Sequence, residues 1–365
     1  MGLTRKGKAP PDTTATLVKP AETSIKHTPT PNHTTASSEP TAKAVRISAG
    51  PTPVRHPVPL EARIGSIHFN QRLGLEREKE ARVFGGGRTF FHIENWTLIG
   101  VLLKYGLRLL GLTARGKRNA RAIRLTHNRV ALARLPAAFE GYRILHVSDP
   151  HLDMADDIPH ALIEAVRGVD YDICVFTGDF RGKTHGDFSR AIDGLRRVRT
   201  HLKHEVYAVL GNHDSLGMAP EIEALGIRVL LNEHVQLRRG GQDAGLYLAG
   251  IDDPHYYRAD NFDKTAGNIP AGAVSILLAH SPEVYRHAAF ANFDLMLCGH
   301  THGGQICLPG GLPLLLNADC PRQFCVGRWR FRDMQGYTST GSGACVLDVR
   351  FNCPPEITLH TLQRS

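Results

Sequence analysis

From Gly141 onward, short apolar runs alternate with stretches in which apolar residues recur every three or four positions. The runs are Tyr142–Val147, Asp172–Phe176, Glu205–Leu210, Ile227–Leu231, Leu246–Ile251, Val274–Ala279 and Asp294–Leu297, each four to six residues long. Ala344–Val349 and Glu356–Leu362 continue the pattern near the end. Runs this short that are apolar on both faces read as buried strands. Helical spacing at Pro159–Val166, Phe188–Leu202 and Pro282–Ala289 separates several of them. Such alternation predicts an α/β layered fold with a largely buried sheet core over residues 140–365.

The start of the chain has a different texture. Its first 60 residues carry ten of the 22 prolines and eleven threonines, without one apolar run. A polar stretch with Gly85-Gly86-Gly87 follows. Little apolar surface can be buried here to offset the ordering entropy, so residues 1–90 read as a disordered Pro/Thr-rich N-terminal region.

Residues 91–125 read as an amphipathic basic helix. In Asn95–Leu112, at 100° per residue, Thr97, Lys104, Arg108, Gly111 and Arg115 share one face while Trp96 and the leucines cover most of the rest. Lys117, Arg118, Arg121 and Arg124 come next, with no acid between Lys104 and Arg124. Asn95–Leu103 is too short before its first charge to span a bilayer, which takes about 20 apolar residues. A helix lying in the plane of an anionic membrane surface fits better.

Net charge of +9 and a pI near 9.3 raise nucleic acid as a partner. The C-terminal domain lacks the dense Lys/Arg stripe with interleaved aromatics that single-strand binding uses, so nucleic acid fits less well. The seven cysteines are odd in number and show no CxxC spacing, and read as free thiols. No apolar core region follows Met1–Pro10, and Lys6 stands where a myristoylation start needs Ser or Thr. The expected place is cytoplasmic, peripheral on the inner face of the cytoplasmic membrane.

Five short motifs stand just past the C-terminal ends of five predicted strands. They are Asp149-Pro150-His151, Gly178-Asp179, Gly211-Asn212-His213-Asp214, His280, and Gly299-His300-Thr301-His302. Loops at the carboxyl ends of strands in α/β sheets are where ligands gather. Carboxylates, imidazoles and an Asn carbonyl suit Mn, Fe, Zn or Mg, with Mn the favoured ion. Seven such residues exceed the needs of one tetrahedral ion and suit two divalent metal ions sharing a carboxylate. Two cations about 3.5–4 Å apart can each bind a phosphoryl oxygen and ionise a water between them for in-line attack on phosphorus.

In this order the motifs resemble those of the calcineurin-like metallophosphoesterase superfamily, from Tyr142 to the C-terminus. The resemblance implies a four-layer α/β/β/α sandwich with the metals at one edge. It implies Asp149, His151 and His302 on the first metal, Asn212, His280 and His300 on the second, and Asp179 bridging both. His213 would protonate the leaving oxygen, oriented by Asp214. Proline fixes φ, so Pro150 marks the Asp149–His151 link as the place for a departure from regular geometry.

Ile276–Pro282, Gly299–Ile306 and Arg350–Glu356 resemble a bacterial membrane-associated branch, some of whose members are similar to UDP-2,3-diacylglucosamine pyrophosphatases of lipid A synthesis. Likeness to protein serine/threonine phosphatases is poorer, because Phe180-Arg181-Gly182-Lys183 follows Gly178-Asp179. The implied activity is hydrolysis of a phosphodiester or pyrophosphate bond in a lipid-linked substrate. A nuclease or general phosphodiesterase is one alternative. A non-catalytic scaffold of the same fold is another, and the complete ligand set speaks against it. Arg181, Asp252, Asp253 and His255 are expected to contact substrate, the last three from a loop after a strand at the same edge.

Overall fold

The computed structural model describes residues 58–84, 97–239, 242–313 and 316–365. Along the chain run α1 (Leu60–Ile64), α2 (Ser66–Phe84), α3 (Thr97–Leu109), α4 (Thr113–Arg121), β1 (Arg124–Leu132) and β2 (Arg143–Val147). Next come α5 (Ile158–Val166), β3 (Ile173–Thr177), α6 (Ser189–Arg199), β4 (Glu205–Val209), α7 (Met218–Ala224), β5 (Arg228–Val229) and β6 (Glu233–Arg239). They are followed by β7 (Gln242–Gly250), α8 (Phe262–Ala266), β8 (Val274–Leu278), α9 (Tyr285–Phe290) and β9 (Leu295–Cys298). The chain closes with β10 (Cys307–Leu308), β11 (Leu312–Pro313), β12 (Gly327–Phe331), β13 (Met334–Thr338) and β14 (Glu356–Arg364).

Two six-stranded sheets form the centre, ordered β1-β14-β2-β3-β4-β5 and β12-β13-β9-β8-β7-β6. Strands β2 to β5 are mutually parallel, as are β7, β8 and β9. Side chains alternate across a strand, and this sorts the core into layers. Ile144, Val175, Val209, Ile276, Leu278 and Leu297 point between the sheets. Leu145, Cys174, Phe176 and Ala208 face the other way, onto α5, α6 and α7. Leu277 and Met296 face α9 on the far side. Both strand faces are thus dry, and the architecture is an α/β/β/α sandwich.

Three expectations need correction. Residues 60–64 and 66–84 are helical, so the description of 1–90 as one disordered region fails there; residues 1–57 and 85–90 lie outside the described residues. Arg63 in α1 explains the docking, because it bonds Glu223 at 2.7 Å, Glu233 at 2.8 Å and the Val229 carbonyl at 2.7 Å. Second, residues 344–349 form no strand. Gln305 satisfies their backbone instead, donating to the Cys345 and Leu347 carbonyls at 2.9 Å each and accepting from Cys345 N–H at 2.8 Å.

Third, the basic segment after α3 is itself a helix docked on the domain. Gly111, at φ 68°, ends α3, and α4 buries Gly116 and Ala120. Arg121 on α4 bonds Asp348 and Asp157, so its charge faces protein. Residues 95 and 96 of the expected amphipathic helix lie outside the described residues.

Candidate metal centre and catalytic site

The parallel strands of both sheets deliver their C-terminal loops to one edge. Asp149 and His151 follow β2, Asp179 follows β3, Asn212 and His213 follow β4, His280 follows β8, and His300 and His302 follow β9. All eight are at most 7% exposed. Ligand atoms of Asp149, His151, Asp179 and His302 lie within 4.8 Å of one another, as do those of Asp179, His280 and His300. Asp179 is common to both groups. Asn212 joins the second through its Oδ1, 2.8 Å from His280 Nε2.

Backbone geometry here is unusual. Asp149, His151, Asp179, His300 and His302 all have positive φ, between 42° and 70°. Non-glycine residues rarely adopt that region, and such strain concentrates at functional sites. Asp149 at φ 49° also precedes Pro150, although a residue before proline is steered toward extended backbone. Gly178 shows why small residues are needed beside the ligands. It sits at φ 89°, and a Cβ there would lie 2.5 Å from Gly211 N.

The electrostatics fit cations. Burial pushes the Asp149 carboxyl up to about 6, while the Asp179 carboxyl, despite its own burial, is held well below the usual range by His280, His213 and His151. Burial lowers His151 to about 4 and drives His300 and His302 down as well. The Nε2 atoms of His151 and His302 face each other at 3.1 Å. Two neutral imidazoles in that arrangement can share at most one proton, whereas a cation between them would satisfy both lone pairs. His300 Nε2 is buried with no hydrogen-bond partner. Burial lowers His280, but Asp179 outweighs it and raises the imidazole to about 10. In the bare chain a proton thus supplies the positive charge the carboxylates demand. The donor set of carboxylate, imidazole and amide oxygen suits two divalent ions.

Backbone carbonyls orient the rings. His151 Nδ1 donates to the Arg181 carbonyl at 2.8 Å and His280 Nδ1 to the Thr177 carbonyl at 2.7 Å, leaving Nε2 of each for a ligand.

The remaining predicted site residues are placed differently from expectation. Asp214 does not orient the His213 ring; its carboxylate accepts N–H bonds from Asp179 at 2.7 Å, Phe180 at 3.0 Å and Gly211 at 2.9 Å, tying two ligand loops together. The His213 ring has Thr184 Oγ1 at 3.2 Å from Nδ1, and Asp179 Oδ2 at 3.9 Å from Nε2. Arg181 is 2% exposed and its guanidinium donates to the carbonyls of His213, Thr184 and Gly186, so its donors are spent on holding a loop. Asp252 pairs with Arg72 at 3.2 Å and His68 at 3.1 Å. Asp253 accepts from the backbone of His255, Tyr256 and Tyr257 within its own loop. Only His255 of this group lies against the site, its ring centroid 4.1 Å from that of His300 and its Nδ1 3.0 Å from Glu283.

Several participants carried no legible signal. Ser148 donates to Asp149, and fully buried Arg350 donates to the carbonyls of Thr340 and Gly343 at 2.6 Å each, with Nη2 3.2 Å from His302 Nδ1. Cys345 lies 3.7 Å from His213 Nε2 and joins His151 and His302 in a further cluster of ligand atoms. Arg350 opens the Arg350–Glu356 motif, but nothing in that motif shows that its partners are carbonyls and a histidine, and a thiol in an irregular loop has no sequence pattern to find it by.

Residues 142–304 match the family model for calcineurin-like phosphoesterases. The chain is 28% identical over 229 residues to the uncharacterised metallophosphoesterase YkoQ of Bacillus subtilis, covering 60% of this chain and 83% of that one. It is 30% identical over 161 residues to phosphodiesterase YaeI of Escherichia coli, covering 42% and 56%. A transmembrane protein with a metallophosphoesterase domain from Danio rerio is 26% identical over 253 residues, covering 65% and 56%.

Proposed function

We propose that this chain is a calcineurin-like metallophosphoesterase, the family whose model residues 142–304 match, and that it hydrolyses a phosphodiester or pyrophosphate bond in a lipid-linked substrate at a membrane surface. The observation that carries the hydrolytic part is Asp179, whose carboxylate stands in both clusters of ligand atoms. Asp149, His151 and His302 would hold one divalent ion, and Asn212, His280 and His300 the other. When bound, the two ions supply charge neutralisation at phosphorus and an acidified water, with Mn²⁺ the favoured metal.

The chain's own residues do the rest. His213, whose Nε2 is 3.9 Å from Asp179, would give a proton to the leaving oxygen as the P–O bond breaks and water adds to phosphorus. His255, braced by Glu283, walls the side of the site next to His300. Buried walls exclude bulk water, which strengthens each of these interactions.

The lipid-linked reading draws on α3 and the turn after it, where Leu102, Tyr105, Leu109 and Leu110 are 63–89% exposed and Lys104 and Arg108 share the helix. No helix among the described residues is long and apolar enough to cross a membrane. Together with the motif likeness to UDP-2,3-diacylglucosamine pyrophosphatases, this favours an amphiphilic substrate met at the surface. The test is purified full-length protein with Mn²⁺, given UDP-2,3-diacylglucosamine in mixed micelles or bis(p-nitrophenyl) phosphate, alongside Asp179→Asn. UMP release by the wild type and not by the variant is expected. Cleavage of the activated diester alone would remove the lipid-linked substrate, and full activity of Asp179→Asn would remove the shared carboxylate.

A further inference from the structure

Helix α2 precedes the family-matched segment, yet its side chains reach the loops that carry the ligands. His68, Arg72, Glu76 and Lys79, spaced four, four and three apart, fall on one helical face. Arg72 is 0% exposed. A buried guanidinium is costly unless its donors are satisfied, and here they are spent on two separate loops and on Glu76 of its own helix. Nε bonds the Asp252 carboxylate at 3.2 Å, Nη1 bonds Glu76 at 2.5 Å, and Nη2 donates to the Asp214 carbonyl at 3.1 Å. The guanidinium also lies 3.3 Å over the Tyr257 ring. Glu76 in turn accepts from Leu216 N–H at 2.6 Å.

The two loops joined in this way come from different sheets. One follows β4 and carries Asn212 and His213. The other follows β7 and carries His255, whose ring packs on His300. Asp214 adds to the coupling, because its carboxylate holds the backbone of Asp179 while its carbonyl is held by Arg72. Lys79, 3.7 Å over the Tyr256 ring, grips the second loop again at the rim.

We propose that Arg72, backed by Glu76, is a positioning residue for phosphoester hydrolysis, locking the Asn212–Asp214 turn and the Asp252–Tyr257 loop in register across the metal centre. Helix α2 is then part of the catalytic unit. Arg63 provides the comparison. It docks the same helical hairpin through Glu223 and Glu233 and touches neither loop.

The proposal rests on hydrolysis by the wild type, measured first with Mn²⁺ and bis(p-nitrophenyl) phosphate; an inactive wild type would sink that reading itself. With an active wild type, Arg72→Ala is expected to lower kcat on the order of 10- to 100-fold, with KM within about twofold and two metals still bound. Arg63→Ala is expected to lower Tm at least as much while keeping kcat. Should Arg72→Ala not fold, Glu76→Gln replaces it, keeping volume while removing the ion pair, with kcat falling several-fold. Unchanged kcat in the Arg72 or Glu76 variant, or an equal loss in Arg63→Ala, would overturn the proposal.

Discussion

At the scale of single residues, His213 and Asp179 have separable duties. His213 gives its backbone N–H to Asp179 Oδ1 at 2.9 Å, so replacing the side chain leaves that bond in place. His213→Asn should therefore retain both metals while kcat falls by about 10²–10⁴, the usual worth of a positioned acid. The fall should be steepest for poor leaving groups, which depend most on protonation. Metal analysis beside a leaving-group series checks this, and loss of metal would make His213 a ligand. The residues that cluster at the sheet edge were legible because each sits in a short motif at a strand end. The supporting contacts were not. Asp214, Arg181 and Asp253 spend their charge on backbone groups, some of them far away in sequence, and a charged residue looks the same in sequence whether it faces substrate or an N–H.

At the scale of elements, the paired strands β2 and β14 bury a polar chain between the sheets. Asn128 meets His360 at 2.9 Å, His360 meets His146 at 3.3 Å, His146 meets Thr177 Oγ1 at 2.8 Å, and Thr177 donates to Ser148 at 2.6 Å. Burial lowers His146 to about 3 and drives His360 down also. Both histidines are neutral when folded and free to take a proton near pH 6.5 when unfolded. The contribution of His146 is therefore fully present above about pH 6.5 and is lost as pH falls from there toward its folded value of about 3, at about 1.4 kcal/mol per pH unit, and that of His360 is lost in the same direction. In chelator, so that metal release adds nothing, Tm of the wild type should fall more steeply from pH 6.5 to 4.5 than Tm of His146→Gln. Parallel slopes would mean that His146 is protonated in the fold. The strands carrying this chain were unequally legible. β2 carries the apolar run Ile144-Leu145 and Val147, whereas β1, Arg-Leu-Thr-His-Asn-Arg-Val-Ala-Leu, is made a strand by nine residues of parallel pairing with β14.

At the scale of the whole molecule, the described N-terminal elements divide into two tasks. Helices α1 and α2 are fastened to the catalytic domain by buried ion pairs, so removing them to test membrane binding would disturb the ligand loops as well. Composition hid this, because the polar face that makes α2 look unstructured is the face that meets Asp252, the Asp214 carbonyl and Tyr256. Helix α3 is the reverse, with leucines turned to solvent and no acid between Lys104 and Arg124. The informative change is on α3 alone: Leu102→Gln with Leu109→Gln and Leu110→Gln in the full chain. Sedimentation with phosphatidylglycerol-containing vesicles should fall at least about tenfold, since each buried leucine contributes about 1.5–3 kcal/mol. Replacing Lys104, Arg108, Lys117 and Arg118 by Gln should weaken binding too, and remove its salt dependence, because each cation near an anionic surface contributes about 1 kcal/mol. Hydrolysis of a soluble diester should be unchanged in both variants, as none of these residues touches a ligand loop. Vesicle binding that survives both sets of substitutions would place the membrane contact elsewhere on the chain and leave the apolar face of α3 for a protein partner.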